Sequence, residues 1–211
     1  MHVSDPGGWR PPRPRVGLLG GSFNPAHAGH RHISETALKR LQLDEVWWLV
    51  SPQNPLKPVV GMAPLPERLG QAAKLAHHPR IHVTAIEARL GTQYTADTLA
   101  ALKRRFPRVH FVWLMGADNL IQLPRWERWS SIFHSMPIAV FARSPYYLRA
   151  LVGKAAIRFR RYRRRPGSGG CLARMKPPAW MFLHLRLHPA SATRIRAEAT
   201  SGGPAGRGLA P

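Results

Sequence analysis

Two histidines, His27 and His30, close a run that reads Gly20-Gly21-Ser22-Phe23-Asn24-Pro25-Ala26-His27-Ala28-Gly29-His30. A short apolar stretch precedes the run and a helical pattern follows it. Imidazoles at this spacing share one face of a first helical turn. Both can therefore address a single phosphate and stabilise the charge that builds on transferring and leaving oxygens. Gly20 and Gly21 at a strand end let the backbone approach a phosphate, and the free N–H groups and positive dipole end of the following helix favour an anion. The third glycine of a dinucleotide fingerprint and the Gly-Lys-Ser/Thr of a Walker loop are both missing. Strand, glycine pair and helix alone therefore say nucleotide binding and no more.

A second candidate lies far along the chain, in Ser191-Ala192-Thr193-Arg194-Ile195-Arg196. Ser and Thr at a helix start are good caps, and the same hydroxyls and exposed N–H groups can hold a triphosphate that Arg196 reaches. A capped C-terminal helix without a ligand uses the same residues. Gly116 and Asp118 follow an apolar run, and an ionised Asp at a strand's C-terminal end suits a ribose diol. The indole of Trp126, a short way beyond, can stack on a pyridine ring. Trp47, Trp48, Trp113 and Trp129 suit the core better.

Read together, Gly-Gly-Ser-Phe-Asn-Pro-x-His-x-Gly-His and Ser191-Ala192-Thr193-Arg194-Ile195-Arg196 resemble the two signatures of the nucleotidyltransferase superfamily marked by His-x-Gly-His. Within it the chain resembles the bacterial nicotinate-nucleotide adenylyltransferases over roughly residues 15–199. The resemblance implies a Rossmann-like nucleotidyltransferase fold and transfer of the adenylyl group of ATP to nicotinate mononucleotide, giving nicotinate adenine dinucleotide and pyrophosphate. It makes His27 and His30 catalytic. It places Gly20, Gly21, Ser22, Phe23, Lys57, Gly116, Asp118, Ser191, Thr193 and Arg196 on the ATP and phosphate side. Lys57 enters through Ser51-Pro52-Gln53-Asn54-Pro55-Leu56-Lys57, which otherwise reads as a Pro-rich loop with a solvated lysine. Around nicotinate mononucleotide it places Asn24, Tyr94, Thr95, Trp126 and Arg143. The Tyr94-Thr95 pair opens Tyr-Thr-Ala-Asp-Thr-Leu, and by composition alone Thr95 or Asp97 serves as helix cap or first-turn acid. Mg2+ is expected to arrive bound to ATP, since no carboxylate cluster suggests a dedicated metal cage. Adenylyltransferases of the same fold that act on nicotinamide mononucleotide or phosphopantetheine remain alternatives.

The elements that must position these residues alternate. Strands are expected near 15–20, 46–51, 81–86, 109–115, 136–142 and 179–187, and helices near 28–42, 65–77, 95–106, 125–133, 147–164 and 191–199. Six β-then-α units predict an α/β fold: a single doubly wound, mostly parallel sheet with helices on both faces and a ligand site beyond the C-terminal strand ends. The domain runs over 15–200. Residues 1–14 and 201–211 read as flexible tails, and 164–178, rich in Pro and Gly, as a flexible loop.

Composition bounds the rest. The chain has 211 residues, 44% of them hydrophobic, enough for one substantial core. Its single cysteine, Cys171, excludes an internal disulfide and points to a reducing cytoplasm. No apolar run reaches the roughly 18 residues of a spanning helix, and no membrane partner is expected. The formal net charge is +22, and between Glu127 and Glu198 fifteen basic residues meet no carboxylate. The densest piece is Arg158–Arg165. Such a surface attracts polyanions, whether phosphorylated metabolites, nucleic acid or acidic lipid. A basic nucleic-acid-binding protein is therefore the rival from another class, although no nucleic-acid-binding motif accompanies the charge.

Overall fold

The computed structural model describes residues 13–52, 61–142 and 147–185. Strand β1 (Arg15–Gly21) leads into α1 (Ala28–Arg40), β2 (Glu45–Val50) into α2 (Leu65–Ala76), and β3 (Ile81–Thr84) into α3 (Ile86–Leu90) and α4 (Thr95–Arg105). Then come β4 (His110–Gly116), α5 (Ala117–Gln122), α6 (Trp129–Ser135) and β5 (Ile138–Ala142). The chain continues through α7 (Tyr147–Leu151), α8 (Lys154–Arg158), β6 (Arg163–Arg164) and β7 (Trp180–His184). The seven strands form one sheet in the order β3-β2-β1-β4-β5-β7-β6, and every pairing is parallel.

Strands this apolar need cover on both sides, and they have it. Along β4, Phe111, Trp113 and Met115 enter one core while Val112 and Leu114 enter the other. Strands β5 and β7 divide their residues in the same way. Helices α1 and α2 cover one face; α4, α5, α6 and α8 cover the other. The chain grows outward from β1 through β2 to β3, then returns to place β4 on the other flank of β1. The order of strands therefore reverses between β1 and β4, where open α/β sheets hold their ligands.

All six expected strands are present, and the helices near 28–42, 65–77 and 95–106 fall on α1, α2 and α4. The short helices α3 and α5 were not expected. The helix expected over 125–133 begins later, at Trp129, after a 3-10 turn at Leu123–Arg125. The helix expected over 147–164 is broken. Gly153 enters α8 with extended backbone, and Phe159 ends α8 with its ring stacked 3.9 Å from Phe133 in the core. Arg163 and Arg164 then pair with Trp180 and Met181 as an edge strand. Pairing to β7 needs extended backbone, so the helix cannot continue through these arginines.

Residues 164–178 contain a 3-10 segment, Pro166–Arg174, with Leu172 and Ala173 buried on the α1 side of the sheet. Gly169 lies against the end of α1, where a Cβ would come within 2.5 Å of the Arg40 carbonyl oxygen. The helix expected over 191–199 and nearly all of both tails lie outside the described residues. Gly169→Ala is expected to lower stability by about 1–3 kcal/mol in denaturant unfolding, because a backbone carbonyl cannot yield to the new methyl group. Gly167→Ala, with nothing within 4 Å of its Cβ position, is expected to cost nothing or to stabilise slightly.

Candidate active site

His27 caps α1. Its backbone is extended, and its Nδ1 accepts the Gly29 backbone N–H at 3.1 Å. His30 returns the bond: its Nδ1 accepts the backbone N–H of His27 at 3.1 Å. The pair is a capping box made of imidazoles in place of the usual hydroxyl and carboxylate. With each Nδ1 occupied as an acceptor, the ring proton of each neutral histidine sits on Nε2. The rings lie 3.8 Å apart between centroids and are tilted by 34°. Helix geometry thus fixes the tautomer and orientation of both side chains together.

A second layer holds them. Phe23 is buried and packs on His30 at 4.6 Å and on Trp48 at 5.1 Å. The Trp48 indole N–H donates to Ser34 Oγ at 2.7 Å, and that hydroxyl donates to the His30 carbonyl at 2.9 Å. Phe23 also takes a left-handed backbone, φ 47°, unusual for an aromatic residue and typical of strained functional loops. Asn24 closes the loop from outside, donating to the Gly61 carbonyl at 2.9 Å and accepting the Ala63 N–H at 3.1 Å.

The two glycines are unequal. A Cβ at Gly20 would overlap the Trp113 indole, so core packing alone requires glycine there. At Gly21 a Cβ would meet only the Phe23 ring, at ordinary contact distance of 3.5 Å. The open backbone next to the histidines is therefore at Gly21. On the neighbouring strand end, Gly116 leaves room that a Cβ would take from Asp118 Oδ1, and Asp118 stands in the first turn of α5.

Across the strand ends, Tyr94 is the cap residue of α4 and is part exposed, with Thr95 the first residue of the helix. Of the roles expected for Thr95 and Asp97, the side-chain cap is not formed and Asp97 stands as the first-turn acid. It pairs with Arg128 at 2.5 Å. Arg128 has left-handed backbone, φ 48°, and its N–H side chain ties α4 to the turn that carries Trp126. Trp126 is half-buried against the core; Trp47, Trp48 and Trp113 are buried within it, and Trp129 packs against it. Lys57, Arg143, Ser191, Thr193 and Arg196 lie outside the described residues.

Sequence reasoning missed two residues. Arg68 of α2 is buried, 1% exposed, and donates to four carbonyls: Ser22 at 2.6 Å, Ser51 at 2.7 Å, Ala63 at 2.8 Å and Pro52 at 2.9 Å. Burial holds its guanidinium below the usual arginine value. Its spacing from Leu65 and Ala72 put it on the inner face of the helix, the one sequence signal available. Glu87 of α3 is also buried and is hydrogen-bonded by Ser51. Burial pushes its carboxyl up to about 7, against a smaller downward pull from that hydrogen bond.

A parallel sheet whose strand order reverses beside a histidine-capped helix defines a nucleotidyltransferase-type α/β domain. Residues 18–198 match the cytidylyltransferase-like family, and the chain belongs to that family. It is 58% identical over 182 residues to a protein of Cereibacter sphaeroides named "Probable nicotinate-nucleotide adenylyltransferase", covering 86% of this chain and 96% of that protein. A protein of the same name from Parvibaculum lavamentivorans is 54% identical over 86% of this chain and 90% of its own length. Among solved structures, Plasmodium falciparum nicotinic acid mononucleotide adenylyltransferase complexed with NaAD superposes with a TM-score of 0.67. That match covers 88% of this chain and 83% of the other at 13% identity, a likeness of fold.

Glu87 gives the site a pH signature. Its folded carboxyl titrates near 7 and its unfolded carboxyl near 4.5, so the native state holds the extra proton between those values. Stability therefore falls as pH rises through that window and levels off above it. Denaturant unfolding at pH about 5 and about 8 is expected to show a loss on the order of 2–3 kcal/mol in the natural chain. Glu87→Gln is expected to remove most of that difference.

Proposed function

We propose that the chain catalyses transfer of the adenylyl group of ATP to nicotinate mononucleotide, forming nicotinate adenine dinucleotide and pyrophosphate. The observation that carries this reading is the reciprocal imidazole cap at the β1–α1 junction, in a chain 58% identical to a protein bearing that activity's name. A 5′-phosphate oxygen of the mononucleotide attacks the α-phosphorus of ATP. The bond from that phosphorus to the bridging oxygen of the β-phosphate breaks, and pyrophosphate leaves. The nucleophile is already an anion, so no general base is needed. Catalysis is alignment and charge stabilisation.

His27 and His30 supply the second of these. Their Nε2–H groups donate to phosphate oxygens, and because both tautomers are preset by the helix backbone, no reorganisation accompanies charge development. Gly21, Ser22 and the α1 start carry the phosphates, joined by Lys57, Ser191, Thr193 and Arg196. Gly116 and Asp118 take the adenosine ribose side. Tyr94, Thr95, Trp126, Arg143 and the remaining capacity of Asn24 shape the mononucleotide pocket. Mg2+ would come with ATP as part of that substrate and would supply a hard cation that offsets phosphate charge.

Pyrophosphate release with Mg-ATP is expected with nicotinate mononucleotide and to be far weaker with nicotinamide mononucleotide or phosphopantetheine. A preference for either of the latter would overturn the substrate assignment. His30→Ala is expected to lower kcat about 10²–10³-fold, the loss typical of one preorganised donor to a developing anion. Near-normal turnover would sink the role given to that ring.

The Asp97–Arg128 pair makes a separate prediction, because it joins the element carrying Tyr94 to the one carrying Trp126. Arg128→Gln is expected to raise KM for nicotinate mononucleotide about three- to fivefold, with KM for ATP and kcat within about twofold. Arg128→Lys should recover most of the loss.

A further inference from the structure

Residues 147–165 carry two features on their outward side that adenylyl transfer does not use. Ala150, Ala155, Ala156 and Phe159 face the core, which leaves Leu148, Val152 and Ile157 outward at 72%, 69% and 55% exposure. Tyr162 is exposed beside them, and apart from Tyr94 these are the exposed large apolar side chains among the described residues. The same stretch carries Arg149, Lys154, Arg158, Arg160, Arg161 and the run Arg163–Arg165, all exposed. The nearest carboxylates in sequence are Glu127 and Glu198.

Two of the arginines are anchored. The Arg158 guanidinium lies 6.0 Å from the Trp129 and Phe159 ring centres. That of Arg163 lies 5.6 Å from Trp180 and 5.8 Å from Phe182. Cations held on aromatic faces stay close to the protein surface.

We propose that this face seats the protein peripherally on an anionic lipid surface. The arginines meet headgroup phosphates, and Leu148, Val152 and Ile157 enter the boundary with the acyl chains. Basic residues interleaved with exposed aliphatic ones are the chemistry that such a surface selects. No helix among the described residues is long and apolar enough to cross a membrane, so the contact is one of docking.

Other occupants fit less well. Nucleic acid offers phosphates, but surfaces that hold its bases do so with several exposed aromatic rings, and among the described residues of this stretch Tyr162 alone is exposed while Phe159 and nearby Trp180 are buried. Leu148, Val152 and Ile157 offer a base no stacking. A second copy of the chain would bring one arginine run against another with no carboxylate between them.

The test is co-sedimentation of the full chain with vesicles of phosphatidylcholine alone and of phosphatidylcholine with phosphatidylglycerol. Binding is expected only to the latter, and it should weaken as salt is raised. Replacing Leu148, Val152 and Ile157 together by Ser should weaken it at least about tenfold, with adenylyl transfer and circular dichroism unchanged. Replacing Arg160, Arg161 and Arg164 by Gln should weaken it about a hundredfold. Undiminished vesicle binding by the Ser variant would overturn the proposal, leaving only an electrostatic patch. So would binding to a DNA or RNA oligonucleotide tighter than to the vesicles, or a lipid-free dimer that the Ser variant dissociates.

Discussion

Four carbonyl oxygens converge on one buried guanidinium, and the candidate site depends on that meeting. Arg68 joins the loop after β1 through Ser22, the end of β2 through Ser51 and Pro52, and the approach to α2 through Ala63. Apart from the Ser51 N–H bond to Gly21 and the Ala63 N–H bond to Asn24, these segments have little backbone pairing, since each lies beyond the last paired residue of its strand. A carbonyl turned inward without a donor would cost about 1–3 kcal/mol, so the loops are stable in this arrangement only while the guanidinium is present. Lysine could not substitute, because a compact ammonium lacks the planar fork that reaches several acceptors at once. The positive charge is held by carbonyl dipoles and makes no ion pair with a carboxylate.

The histidine pair shows a second economy. A helix start has donors to satisfy, and an imidazole that is to donate from one chosen nitrogen needs a fixed tautomer. Here each demand answers the other, because the Gly29 and His27 N–H groups that cap the helix are the same groups that occupy the two Nδ1 atoms. Phe23, Trp48 and Ser34 then fix the rings from the side. The arrangement forms where β1 and β4 part, so the ring pair and Asp118 follow neighbouring strand ends by topology.

How much of this could be read in advance follows from the range of each interaction. The β1–α1 motif, the six long strands and the place of Asp118 rest on local patterns, and periodicity or a short motif carries them. The division of 147–164 into α7, α8 and an edge strand does not. It depends on Arg163 and Arg164 finding β7 and on Phe159 finding Phe133, contacts between distant parts of the chain. Gly20 misleads for the same reason: beside Gly21 it reads as phosphate room, yet its constraint is the Trp113 ring on the next strand. Arg68 and Glu87 escaped because charged side chains are read as solvated unless a partner is visible, and their partners are backbone carbonyls and a serine across the fold.

Electrostatics ties the two missed residues to the chemistry. The proposed reaction gathers a triphosphate and a second phosphate, a concentration of negative charge that any ionised buried carboxylate nearby would oppose. Glu87 reaches Ser51, whose backbone N–H donates to the Gly21 carbonyl at 2.9 Å, one step from the open backbone of the β1–α1 loop. Its burial raises the carboxyl to about 7, so over much of the acid-to-neutral range it accepts its place as a neutral group. Arg68, on the other side of Ser51, keeps its charge. At acid-to-neutral pH these two buried groups together bias the neighbourhood of Ser51 positive, which suits the anionic ligands of the proposed reaction.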